Sequence, residues 1–297
     1  MKIQSLSIVV PNKTCINNCP FCVSKMHCED YKNQLDENLP FFDLYLNDYL
    51  KRLQFARDNN CNTVMLTGTS EPQQNKKFLT YFGMMNRMLK SPFQWVEMQT
   101  TGILLDENYL RFLRNHVGVN LISLSICSLN YLTNYELISG NRQGFEKILN
   151  YITLSELIKK YDFTLRYSIN LTKEFEVYKD KVDSLFKMLK NYGVDQVTFR
   201  VLYNANDGSP QSKWVEKNKV SNETINAICL YIIQNGVEIG TLPYGATKYS
   251  VNGICVVIDK DCMAKEQSHE LETYKYLILR PDCKLYSNWD DKASLVF

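Results

Sequence analysis

Cys15, Cys19 and Cys22 stand within eight residues in the spacing C-x3-C-x2-C, on a segment that follows the apolar run Leu6-Ser7-Ile8-Val9-Val10. Thiolates are soft donors, and three on one short loop suffice to hold three irons of a [4Fe–4S] cube. The fourth iron then keeps an open position, where a small molecule can bind and receive one electron. Two plainer readings compete. The ten cysteines of the chain could be small buried hydrophobes, but such residues have no reason to crowd onto one loop. A structural zinc site could recruit Cys28 as fourth ligand. Zinc sites, however, usually pair two short Cys/His couples across a longer loop, and the sequence has no second couple. A zinc-binding structural or interaction module stays as the non-enzymatic alternative. Disulfides do not fit a chain with no export signal.

A second segment also carries chemistry. Residues 63–66 read as a short buried strand that runs into Thr67-Gly68-Thr69-Ser70-Glu71-Pro72. Gly68 lets backbone approach a ligand closely. Glu71 offers a carboxylate to a cationic group, and Pro72 stiffens the exit. Taken alone, the segment is equally well an ordinary strand-to-helix turn with a hydroxyl N-cap. Following a cysteine loop, in this order, it is far more specific.

On these two motifs the chain resembles the radical S-adenosylmethionine (radical SAM) enzymes. That superfamily carries C-x3-C-x2-C after its first strand, with an aromatic before the last cysteine, as Phe21 is here. It also carries a Gly-Gly-Glu-Pro-type segment after its second strand. Here that segment reads Gly68-Thr69-Ser70-Glu71-Pro72, one residue longer and with a single glycine. The resemblance covers about the first 200 residues. It implies that Cys15, Cys19 and Cys22 ligate a [4Fe–4S] cluster whose open iron takes the amino and carboxylate groups of S-adenosylmethionine (AdoMet). It further implies an adenine contact from the backbone at Phe21 and an ammonium site at Gly68, Thr69, Ser70 and Glu71. Ser125 and Asn170 resemble the ribose-contacting positions, and Arg142 the arginine that pairs the AdoMet carboxylate. The chemistry implied is one-electron cleavage of AdoMet to a 5′-deoxyadenosyl radical that abstracts hydrogen from a substrate, fed by an external donor such as flavodoxin or ferredoxin.

The elements that must position these groups alternate strand and helix. Helical stripes run through Leu46, Tyr49, Leu50 and Leu53, through Phe78, Phe82, Met85 and Leu89, and through Tyr109, Leu110 and Leu113. Three more follow: Phe145, Ile148, Leu149 and Ile152; Val182, Leu185, Phe186 and Leu189; and Ile225, Ile228, Cys229 and Ile232. At 3.6-residue periodicity these are core faces. Between them lie β-rich runs at 3–10, 63–66, 95–98, 121–126, 164–169 and 196–202. Six such units imply a parallel sheet with right-handed crossovers, and the resemblance implies an α/β partial (β/α)6 barrel of the radical SAM type over residues 1–235. Residues 236–297 read as a small β-rich C-terminal cap over the open side of the barrel, with runs at 237–242, 248–251, 254–258 and 274–279. Cys283 falls in a turn-like stretch, Arg280-Pro281-Asp282-Cys283-Lys284, where glycine would be natural. Cys255, Cys262 and Cys283 are spaced too loosely to specify an auxiliary cluster, and His269 reads as a surface residue.

In barrels of this kind chemistry sits at the C-terminal ends of the strands. That rule selects Gln99, Thr100 and Thr101, then Ser123 and Ser125, then Arg166, Ser168 and Asn170, and finally Thr198 and Arg200. Two inward arginines require counter-anions, and a carboxylate or phosphate on a substrate would supply one. The expected substrate is therefore a small, anionic or nucleotide-like molecule, with a peptide or protein as the alternative. A net charge of +2 gives no strong pull toward nucleic acid, and no run is long and apolar enough for a membrane span. A first strand beginning at Ile3 leaves no room for a recruiting or cobalamin-binding domain before it. A reducing, cytoplasmic setting suits both free thiols and a cluster.

Overall fold

The computed structural model describes residues 2–26, 39–139, 150–242, 246–259, 267–268, 273–289 and 291–297. Six strands follow the expected order: β1 (Lys2–Val9), β2 (Thr63–Thr67), β3 (Trp95–Thr100), β4 (Leu121–Ile126), β5 (Thr164–Asn170) and β6 (Gln196–Arg200). Each pairs in parallel with the next. Among the described residues eight α-helices accompany them: α1 (Leu46–Asp58), α2 (Lys76–Met88), α3 (Glu107–Phe112), α4 (Tyr131–Ser139), α5 (Tyr151–Lys160), α6 (Val182–Asn191), α7 (Pro210–Asn218) and α8 (Asn222–Asn235).

Strand alternation divides the sheet into two chemically distinct faces. Leu6, Ile8, Val64, Leu66, Val96, Met98, Ile122, Leu124, Leu165, Tyr167, Val197 and Phe199 share one parity and are fully buried in the main core with the helix stripes. Each such side chain contributes about 1.5–3 kcal/mol of burial. The other parity is polar. One row across the sheet runs Gln99, Ser123, Arg166 and Gln196, and the next up runs Ser125, Ser168 and Thr198. An apolar outer face and a polar inner one are what a sheet needs to curl around a hydrophilic site.

The described strands of the C-terminal segment belong to the same sheet as β1 to β6. The segment holds β7 (Val237–Thr241), β8 (Thr247–Val251), β9 (Ile254–Asp259), β10 (Gln267–Ser268), β11 (Thr273–Leu279) and β12 (Leu285–Tyr286), all within one 12-stranded sheet. β9 runs parallel to β6, and β8 and β7 follow antiparallel. The chain then rejoins at the opposite edge, where β11 runs parallel to β1 and carries β10 and β12 as antiparallel neighbours. The described strands of this segment thus extend both sheet edges, and the parallel core has eight strands, β11, β1 to β6 and β9. Unpaired backbone edges favour this outcome, because main-chain donors at β1 and β6 find partners in the same chain.

Two smaller points complete the comparison with the sequence reading. The stripe through Ile152 does not hold: α5 buries Tyr151, Leu154, Ser155 and Ile158, while Ile152 is 50% exposed. Phe145, Ile148 and Leu149 lie outside the described residues. The turn after β11 does occur, with Cys283 at φ 60° in the left-handed region. Cys255 near the start of β9 and Cys283 beyond the end of β11 lie at opposite ends of parallel strands on opposite edges, and Cys262 and His269 are outside the described residues. Among the described residues no helix is long and apolar enough to cross a membrane.

Candidate active site

The C-terminal ends of β1 to β6 converge on one cavity of about 260 Å³. Its wall includes Cys15, Cys19 and Cys22 from the loop after β1, and Phe21 from the same loop. Gly68, Thr69, Ser70 and Glu71 come from the end of β2, Ser125 from β4, and Asn170 from β5. Every cluster and AdoMet residue named from the resemblance lines this cavity, except Arg142, which lies outside the described residues. Of the other residues selected by the strand-end rule, Gln99, Thr100, Thr101 and Arg200 join them, while Ser123, Arg166, Ser168 and Thr198 do not line the cavity.

The cysteine loop is tied down from three sides. Asn18 N donates to the Ile138 carbonyl at the end of α4 (2.8 Å). Ile16 N donates to Gln74 Oε1 (2.8 Å), and buried Asn17 donates from Nδ2 to Thr101 Oγ1 (3.1 Å) and Glu71 Oε2 (3.4 Å). Asn17 and Ile138 are site residues that sequence reasoning missed: nothing in their types separates them from neighbours, and only the folded loop gives them partners.

Burial pushes the Cys15 and Cys19 thiols up, and neighbouring charge adds to it, from Glu71 and Cys22 at Cys15 and from Cys22 and Cys15 at Cys19. Thiols held up in this way need a cation nearby to become thiolates. Iron is such a cation, and a three-thiol donor set with no oxygen or nitrogen ligand suits a cluster. Among the described residues no group of three His, Cys, Asp or Glu is arranged for a single metal ion.

Glu71 is 2% exposed and accepts hydrogen bonds on both carboxylate oxygens. Thr100 Oγ1 donates to Oε1 (2.7 Å), and Thr101 donates to Oε2 from N (3.0 Å) and Oγ1 (2.9 Å). Burial nonetheless holds its carboxyl above the usual range, against the lowering effect of these bonds. Nearby, Ser70 Oγ and Asn17 Oδ1 are buried with no hydrogen-bond partner. Both residues line the cavity, so a polar ligand there would satisfy groups that are otherwise costly to bury. Gly68 has a packing role too: a Cβ on it would stand 3.3 Å from the Val10 carbonyl oxygen, so glycine lets the end of β2 press against the exit of β1.

The two inward arginines differ. Arg166 is not on the cavity wall. Its Nη1 donates to Glu97 Oε2 (2.5 Å), and its Nε and Nη2 donate to Gln196 Oε1 (2.9 and 2.6 Å). Glu97 on β3 is thus the counter-anion, and Arg166 does not need one from a substrate. Arg200 does line the cavity; it donates from Nε to Ser168 Oγ (2.8 Å) and lies 3.5 Å from Asp259 Oδ2 on β9.

No family model matches the chain, and no curated protein matches it in sequence. Among solved structures, native anSMEcpe with bound AdoMet is 14% identical with a TM-score of 0.56, over 98% of this chain and 75% of that one. Native anSMEcpe with bound AdoMet and Kp18Cys peptide is 15% identical with a TM-score of 0.52, over 97% of this chain and 78% of that one. For native anSMEcpe with bound AdoMet and Cp18Cys peptide the values are 19% and 0.47, over 69% of this chain and 52% of that one, so the match spans about half of that chain. At these identities the likeness is one of fold: the chain shares the fold of native anSMEcpe.

Proposed function

We propose that the protein is a radical SAM enzyme acting on a small, anionic or nucleotide-like substrate. Cys15, Cys19 and Cys22 hold a [4Fe–4S] cluster, and AdoMet occupies the cavity. Residues 1–235 form the catalytic barrel and residues 236–297 its C-terminal extension. The observation that carries this reading is the meeting of all three thiols with Phe21, the 68–71 loop, Ser125 and Asn170 around a single cavity. When bound, the reduced cluster and AdoMet supply a 5′-deoxyadenosyl radical that removes hydrogen from an unactivated C–H bond.

The chain's own groups bind and orient. Ser70 Oγ donates or accepts, and Asn17 Oδ1 accepts, the hydrogen bonds they lack within the protein. Glu71 contributes negative charge beneath the ammonium of AdoMet; its oxygens stay engaged with Thr100 and Thr101, which fixes the carboxylate in place. Ser125 and Asn170 would hold the ribose, the backbone at Phe21 would contact the adenine, and Arg142 would pair with the carboxylate. Arg200 orients the anionic group of the substrate, with Asp259 and Ser168 holding the guanidinium fork. Val201, Leu202 and Tyr203 wall the cavity on that side. A flavodoxin or ferredoxin delivers the electron.

A peptide substrate is the second reading, because anSMEcpe, whose fold this chain shares, has been solved with AdoMet and the Kp18Cys peptide bound. The deciding experiment is anaerobic reconstitution, reduction with AdoMet present, and assay for 5′-deoxyadenosine. About four irons per chain and product that disappears in Cys19→Ala are expected. One zinc per chain, or a cluster that never cleaves AdoMet, would return the cysteine loop to a structural or electron-carrying role.

A further inference from the structure

Trp214 is a half-buried indole whose position the core does not explain. It stands on α7 between buried Ser212 and Val215. Its ring meets that of Phe21 at a centroid distance of 5.7 Å and an angle of 41°. Phe21 lines the cavity and Trp214 does not, so the indole backs the phenyl ring from outside the site. The next residue is Cys22, whose Sγ lies 2.9 Å from Ser24 Oγ, and Ser24 Oγ is 3.3 Å from the Thr69 carbonyl oxygen. This end of the cysteine loop is therefore held by the 68–71 loop on one flank and by α7 on the other.

α7 is itself anchored at both ends. Asn206 and Gly208 take φ values of 55° and 70°, turning the chain after β6. Asp207 Oδ1 accepts from Ser209 N (3.0 Å) and Ser212 Oγ (2.7 Å), and Ser209 Oγ caps the helix by accepting from Ser212 N (3.1 Å). At the far end Lys219 bridges to Thr172, and Val220 N donates to the Leu171 carbonyl (3.1 Å), both just beyond β5. A nine-residue helix fixed to the ends of two barrel strands thus carries one aromatic ring to the cysteine loop.

We infer that Trp214 is a positioning residue for the iron site: it braces Phe21 and so holds Cys22 at the cavity wall. The inference rests on the cluster reading above. It is tested by the rate at which reconstituted protein loses iron to excess chelator without oxygen, compared for wild type, Trp214→Phe and Trp214→Ala, with far-UV circular dichroism as the check on folding. An aromatic pair is strong enough for an effect of about three- to tenfold. Trp214→Ala should release iron faster by that factor. Trp214→Phe, which keeps a ring, should stay near wild type, as should Trp95→Phe, exposed at the other end of the sheet. Should Trp214→Ala not fold, Trp214→Leu keeps apolar volume without a ring and is read by the same criterion. Wild-type release rates in the ringless variant, or equal acceleration in Trp214→Phe, overturn the brace. A wild-type protein that takes up no iron removes the cluster reading and the brace with it.

Discussion

The middle of the parallel sheet, its waist, and the C-terminal ends of its strands, its mouth, both bury a carboxylate, and they treat it differently. At the waist, Glu97 is 4% exposed and pairs with Arg166, whose other donors go to Gln196. At the mouth, Glu71 is equally buried but accepts only from neutral hydroxyl and amide donors among the described residues. The arginines repeat the contrast. Arg166 is 25% exposed and bound at 2.5 Å, while Arg200, four residues further along β6 than the partner of Arg166, is 31% exposed and stands 3.5 Å from Asp259. Four residues of strand separate the tiers by about 13 Å. Charge is balanced inside the protein where no ligand is needed and left incomplete where one is expected. That is how a fold marks a binding site without an obvious motif.

The largest effect that could break this contrast belongs to the waist. Glu97→Ala leaves Arg166 without its anion and should destabilise the protein by about 3 kcal/mol, whereas Glu97→Leu with Arg166→Met should recover most of the loss. Urea unfolding of the three proteins decides it. A single substitution costing under about 1 kcal/mol would mean that Arg166 reaches solvent or another anion, and the waist would no longer differ from the mouth. Arg200→Ala should cost less than about 1 kcal/mol, since its ion pair is long and partly solvated. Its effect should fall on substrate instead, as a raised KM of about tenfold or more with AdoMet cleavage in the absence of substrate unchanged. Equal losses of stability at Arg200 and Arg166 would erase the comparison.

The same contrast explains what could be read from sequence and what could not. β1 to β6 were legible because an alternating or apolar run of four to eight residues is written locally. The cysteine loop and the 68–71 loop were legible because their spacing is local too. Arg166 could be assigned to the inner face, but not its partner. Glu97 lies on β3, and the contact reaches across β4, so no short-range pattern joins residues 97 and 166. The edges of the sheet failed for the same reason on a larger scale: β11 pairs with β1 across almost the whole chain. The β-rich character of residues 236–297 was visible, while the choice between a covering layer and two sheet edges depends on which backbone edge is left to be filled. Asn17 and Ile138 hold the cysteine loop through an amide and a main-chain carbonyl, groups whose type announces nothing.

The smallest effect is a pH dependence, and it bears on the mouth alone. Burial holds the Glu71 carboxyl above its ordinary value of 4.5. A carboxyl raised in the folded state binds more protons folded than unfolded. Its contribution to stability is therefore fully present below the unfolded value and declines as pH rises from there through the folded one. Asp207 behaves in the opposite sense. The Ser212 and Ser209 donors pull it down to about 2, so its contribution is present above its ordinary value of 3.8 and fades as pH falls toward 2. Glu71→Gln keeps the shape and removes the titration. The stability of wild type relative to Glu71→Gln should thus fall as pH rises from about 4.5, measured by urea unfolding at several pH values. A cationic ligand at the mouth favours the ionised carboxylate and should flatten that slope. AdoMet added at saturation should bring the two slopes together, while an uncharged analogue lacking the amino group should not. If AdoMet leaves the slope untouched, Glu71 is a buried anchor with no electrostatic part in binding, and the mouth is as self-contained as the waist.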